Sequence, residues 1–170
     1  MRRIGALVFA TAVLVAALAL SHGKAFAAPL NCTVTTNGFS FADYDVFDPV
    51  DGTTILGQAV QYTCNKNSTA VSIALGPSSG SQDYAPREML QLGEDPLYYY
   101  VSLGGFTPSC GGGSGQIWGD SALLNDTVSY VAVTGRRDVP NDVQAYGCIP
   151  HGQNVEAGIH SDSLLVTISF

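Results

Sequence analysis

The segment SDSLLVTISF, residues 161–170, constrains the fold most. Leu164, Val166, Ile168 and Phe170 fall on one face and Leu165, Thr167 and Ser169 on the other, the period-two alternation of a half-buried β-strand. Such a strand either lies inside a sheet or presents an apolar edge that something must cover. The same texture recurs upstream. Runs rich in Val, Ile, Tyr and Thr at Cys32 to Thr36, Thr54 to Cys64, Ala70 to Leu75, Leu97 to Leu103, Thr127 to Val133 and Val143 to Cys148 are separated by Gly, Pro, Asn and Ser. No segment beyond the first 27 residues has helical periodicity. Seven short strands in one chain predict an all-β fold, an immunoglobulin-like two-sheet sandwich in preference to a barrel, although spacing alone leaves the barrel open.

The N-terminus is of another kind. Arg2 and Arg3 precede an apolar run from Ile4 to Leu20, and Ala25-Phe26-Ala27 follows as a small-x-small cleavage pattern. Residues 1–27 therefore read as a secretory signal peptide; the run is at the short end for a membrane span. Residues 28–170 form one β-sandwich domain, with no composition break or repeat to divide them. They keep four cations, Lys66, Arg87, Arg136 and Arg137, against all fourteen carboxylates, a formal charge of −10. Such a field repels nucleic acid and anionic lipid.

All four cysteines, Cys32, Cys64, Cys110 and Cys148, lie in the exported part, which argues for two disulfides among three possible pairings. No spacing is CxxC, and only His151 and His160 follow residue 27, so the pattern contains no zinc site and calls for no cofactor.

Several motifs imitate functional sites. Gly76-Pro77-Ser78-Ser79-Gly80 fits GxSxG and follows a strand, but a nucleophile elbow also needs a helix after it, and SQDYAP is turn-like. A strand-to-strand loop is the better account, and no catalytic residue is assigned. Asp43, Asp45, Asp48 and Asp51 suggest calcium, yet the glycine at the sixth position and the glutamate at the twelfth are missing; they read as a solvated turn. Isolated histidines such as His151 and His160 usually hydrogen-bond locally. The Gly-rich stretch 104–119 contains Phe106, Ile117 and the sole tryptophan, Trp118, either as a binding loop or as buried packing.

A longer pattern connects these pieces. Cys32…Phe41-Ala42-Asp43-Tyr44-Asp45…Gly57…Cys64, Leu75-Gly76…Arg87-Glu88-Met89, Leu97-Tyr98-Tyr99-Tyr100, Ile117-Trp118-Gly119-Asp120 and Tyr146-Gly147-Cys148-Ile149-Pro150…Gln153…Gly158…Ser161-Asp162 through Phe170 resemble the Spore Coat Protein U domain family in order and spacing. His160 stands where that family usually has tyrosine.

The resemblance implies a secreted, pilin-like subunit of an archaic chaperone–usher fimbria, its sandwich lacking the last strand. A periplasmic pilus chaperone and then a neighbouring pilin subunit would fill the groove by strand donation, and an outer-membrane usher would assemble the fibre at the cell surface. Leu164, Val166, Ile168 and Phe170 are expected along that groove. The resemblance pairs Cys32 with Cys64 and leaves Cys110 with Cys148. Only Ala28-Pro29-Leu30-Asn31 would precede Cys32 after cleavage, whereas a donor segment needs about ten residues, so a tip or terminal, adhesive position is expected. Cleavage nearer Leu20 would instead free a segment with Ala25 and Phe26. A secreted coat or matrix protein outside any pilus is the alternative reading.

Overall fold

The structure, a computed structural model, describes residues 28–57, 60–67, 70–93, 95–105, 109–110, 116–120, 127–128, 130–132 and 137–170, with backbone only for 127–132. The signal-peptide assignment and Phe106 lie outside the described residues. Twelve strands are formed among those described: β1 (Cys32–Thr36), β2 (Gly52–Ile55), β3 (Val60–Cys64), β4 (Val71–Leu75), β5 (Arg87–Met89), β6 (Leu97–Ser102), β7 (Ile117–Trp118), β8 (Thr127–Val128), β9 (Tyr130–Ala132), β10 (Asn141–Val143), β11 (Tyr146–Ile149) and β12 (Val166–Ser169). The protein is all-β there, as the alternation predicts.

Hydrogen bonding groups the strands as β1-β3-β10, as β2-β11-β6-β7-β8 with β5 also on β6, and as β12-β4-β9. All pairings are antiparallel except β7 with β8. The period-two pattern decides which side faces in. In β3 and β4 the first, third and fifth residues are buried and the two between are half-buried. Ile73 and Leu75 have no exposure, and burying an aliphatic side chain of this size contributes about 1.5–3 kcal/mol.

Three segments expected as single strands are split: Thr127 to Val133 gives β8 and β9, which join different sheets, and two others break together. Thr54 to Cys64 divides into β2 and β3, and Val143 to Cys148 contributes the end of β10 and most of β11. The breaks lie side by side. Ile55 faces Tyr146 on one side and Val60 faces Val143 on the other, while the Leu56 amide donates to the Ala145 carbonyl at 2.8 Å. One antiparallel ribbon thus bends from one sheet into another, and the bend buries both Leu56 and Ala145. β5 and β7 were not anticipated. They have three and two residues and form because β6 offers its second edge to both.

Cys32 is bonded to Cys64 and Cys110 to Cys148. The first bridge joins residues directly opposite in the β1–β3 register. The second ties the Gly-rich connection to β11. Trp118 is wholly buried, and its indole N–H donates to the Ile73 carbonyl at 3.0 Å, so it is a core residue rather than a loop-borne contact.

Candidate functional site

A cavity of about 810 Å³ opens at one side of the sandwich. Its floor is core: Val60, Leu75, Met89, Leu97, Tyr99 and Ile149 all line it and all are buried. One wall is the segment after β1, bringing Phe39, Phe41 and Tyr44. The other is the stretch 155–162 together with Leu164 and Val166.

The four groove residues expected from sequence divide here. Leu164 and Val166 line the cavity; Ile168 packs half-buried against the core, and Phe170 is 52% exposed. Leu165, on the opposite face, is 72% exposed. Among the described residues β12 is hydrogen-bonded to β4 alone, and β1 to β3 alone. These two edge strands come within 8 Å at their Cα atoms without ladder bonds between them. The cavity takes Thr36 from the far end of β1 and Val166 from the start of β12.

Each wall is held by a specific contact. Phe41 packs edge-on to Tyr99, centroids 5.4 Å apart, and lies over Gly147, where an added Cβ would overlap its ring. Tyr44 accepts the Gln153 amide N–H at 2.7 Å. Gln153 in turn mends a ladder. Tyr100 faces Cys148 in the β6–β11 register, so Pro150 falls opposite Tyr98 and has no N–H to give. The Gln153 side chain substitutes: Nε2 donates to the Tyr98 carbonyl at 2.9 Å and Oε1 accepts the Tyr98 N–H at 2.7 Å.

A polar cluster anchors the approach to β12. Asp162 accepts the Tyr99 hydroxyl at 2.7 Å, the Ser79 hydroxyl at 2.6 Å and the Ser79 amide at 3.0 Å. Burial works to raise its carboxyl, but these donors outweigh it and hold the group below the usual carboxylate range. Burial first, and then the bond to Asp162, raise the Tyr99 phenol. Arg87, opposite Tyr99 in the β5–β6 register, has no exposure and donates to the carbonyls of Tyr84, Gly76 and Trp118. Burial pushes it down to about 10, so it stays charged at neutral pH. Its guanidinium thereby links β5, the end of β4 and β7.

The decoys resolve structurally. Ser78 has no exposure; its hydroxyl donates to the Glu88 carbonyl at 3.0 Å and accepts the Glu88 amide at 3.1 Å, which commits it to the backbone. Asp45 and Asp48 accept amides two residues ahead, from Phe47 and Val50, as turn caps do. Asp51 accepts from the Cys110 and His151 amides and bonds the His151 ring. Cys110 and Cys148 lie near Asp51, but their sulfurs are spent on one another.

Sequence reasoning gave no role to Phe39, Phe41, Tyr44 or the 155–162 stretch. Phe41, Tyr44, Gly158, Ser161 and Asp162 stand in the family-like pattern, which is the signal the sequence carries for them.

The fold and the cavity define a class: an all-β immunoglobulin-like sandwich with an apolar groove beside an edge strand. The Spore Coat Protein U domain family matches residues 17–167, and the chain belongs to that family. No curated protein matches the chain. A solved structure of similar fold is the crystal structure of the CsuC–CsuE chaperone–tip adhesion subunit pre-assembly complex from archaic chaperone–usher Csu pili of Acinetobacter baumannii. The match has 15% identity and a TM-score of 0.50, and covers 84% of this chain but 40% of that one. At that identity the likeness concerns the fold.

Proposed function

We propose that this protein is a secreted structural subunit of an archaic chaperone–usher fimbria. Its groove accepts a strand, first from a periplasmic pilus chaperone and then from a neighbouring subunit, with an outer-membrane usher between the two events. The observation that carries this is the outer edge of β12, bonded to no strand among the described residues while Leu164 and Val166 face an apolar cavity. A guest strand there gains main-chain hydrogen bonds from the edge and pockets for alternate side chains. Two strands flanking a guest stand about 9–10 Å apart, because neighbours are spaced by about 4.8 Å. The approach of β1 to β12 within 8 Å requires β1 to yield for a guest to pair along the whole strand.

The test is co-expression with a pilus chaperone followed by capture of the complex. Val166→Asp places a charge in the apolar groove, at a cost of several kcal/mol, and capture should fail. Leu165→Asp, on the exposed face, should leave capture intact. A purified exported domain that is monomeric, stable alone and indifferent to Val166→Asp and Ile168→Asp would overturn the reading.

The tip position is the finer part of the proposal. Sequencing the N-terminus of the exported protein decides it: cleavage after residue 27 leaves four residues before Cys32 and an accept-only subunit, and cleavage near Leu20 leaves a strand to donate.

A further inference from the structure

The groove is apolar at its floor and acidic at its rim. Asp43 and Asp45 stand on one wall and Glu156 on the other, all three exposed, and no lysine or arginine is among the residues that line the cavity. Asp162 also lines it and is negatively charged, its oxygens already hydrogen-bonded by Tyr99, Ser79 and Ser163. We infer that the strand filling this groove is cationic on its outward face and comes from a separate basic protein rather than from a second copy of this chain.

This rests on the groove reading above and adds the chemistry of the occupant. In a seated strand alternate side chains point to the floor and the others stand between the two walls. At those outward positions lysine or arginine lays its methylene stem over apolar surface and brings its charge level with the rim. Cleaved after residue 27, a second copy lacks this complementarity. Residues 28–170 carry four cations against fourteen carboxylates, so the approach of one copy to another sets acid against acid. Exposed charges of this kind act mainly on encounter rate and partner choice, and salt screens them.

The experiment uses synthetic peptide strands with one set of apolar inward residues and with lysine, serine or glutamate at the outward positions. Their association with the exported protein is followed at low and high salt. The lysine peptide should associate about tenfold faster than the serine peptide at low salt, and the glutamate peptide more slowly. The ordering should collapse at high salt and in the triple variant Asp43→Asn, Asp45→Asn, Glu156→Gln. Equal rates for the three peptides, with binding still abolished by Val166→Asp, would overturn the charge inference and leave the groove reading standing. Failure of every peptide to bind, or binding indifferent to Val166→Asp, would overturn both. Self-assembly of the exported protein as fast as lysine-peptide capture would overturn the choice of a separate basic partner.

Discussion

Asp162 Oδ2 accepts the Tyr99 hydroxyl at 2.7 Å, and this bond ties the segment leading into β12 to β6 in another sheet. Both residues line the cavity, so the wall leading into β12 is held by a side-chain contact between residues 63 apart in sequence.

Tyr99→Phe should lower stability by about 1.5–3 kcal/mol, the range for a hydrogen bond to a charged group. The pH dependence has a definite sign. The Asp162 carboxyl is held below its ordinary value of 3.8 in the folded protein, so its contribution is present above that value and is lost as pH falls through the folded one. Denaturation midpoints should therefore drop below about pH 4. Asp162→Asn should flatten part of that acid limb, the remainder including Asp51, which hydrogen bonds from His151 and Cys110 lower against the opposing effect of burial.

Gly147→Ala should expel Phe41 from its seat, since the new Cβ would overlap the ring and β11 is hydrogen-bonded on both sides and cannot retreat. The expected loss is about 1–3 kcal/mol, the range for overpacking. Adding Phe41→Ala should recover part of the overpacking strain. A double-mutant cycle by chemical denaturation checks this; strict additivity would mean the two sites do not meet.

Gln153→Ala should strip the Tyr98 amide and carbonyl of their partners opposite Pro150. Amide hydrogen exchange at Tyr98 should accelerate, with a cost of about 0.5–1.5 kcal/mol, since water can reach the exposed Tyr98 backbone. Gln153→Glu keeps the acceptor for the amide and removes the donor for the carbonyl, so it should restore slow exchange better than it restores stability.

Ser78→Ala should cost about 1–3 kcal/mol by leaving the Glu88 amide and carbonyl without their buried partner. No ester or peptide hydrolysis should change with it. A hydrolytic activity that vanished in this variant would contradict the backbone role.

The strands were legible where one face is buried and the other is not. Cys32–Thr36 appeared with its bounds, and Val71–Leu75 and Leu97–Ser102 within a residue, because alternation is local and each side chain reports its own side. The bend in Thr54 to Cys64 was not legible, since Leu56 turns inward only because Ala145 turns beside it, 89 positions away. The two disulfides followed once the family resemblance chose among three pairings; spacing alone did not.

Sequence by itself determined the all-β class, the acidic character of the chain, the family and the presence of a final strand, because these rest on composition, local period and ordered motifs. The observed bounds of that strand, Val166–Ser169, fall inside the expected Leu164 to Phe170. Only the tertiary structure decided that Leu164 and Val166 reach the cavity while Phe170 stands half in solvent, that Ser78 is sealed, and that Phe41 and residues 155–162 form the walls. Those outcomes depend on which distant segments meet, and an alternating strand has the same pattern whichever edge it is given.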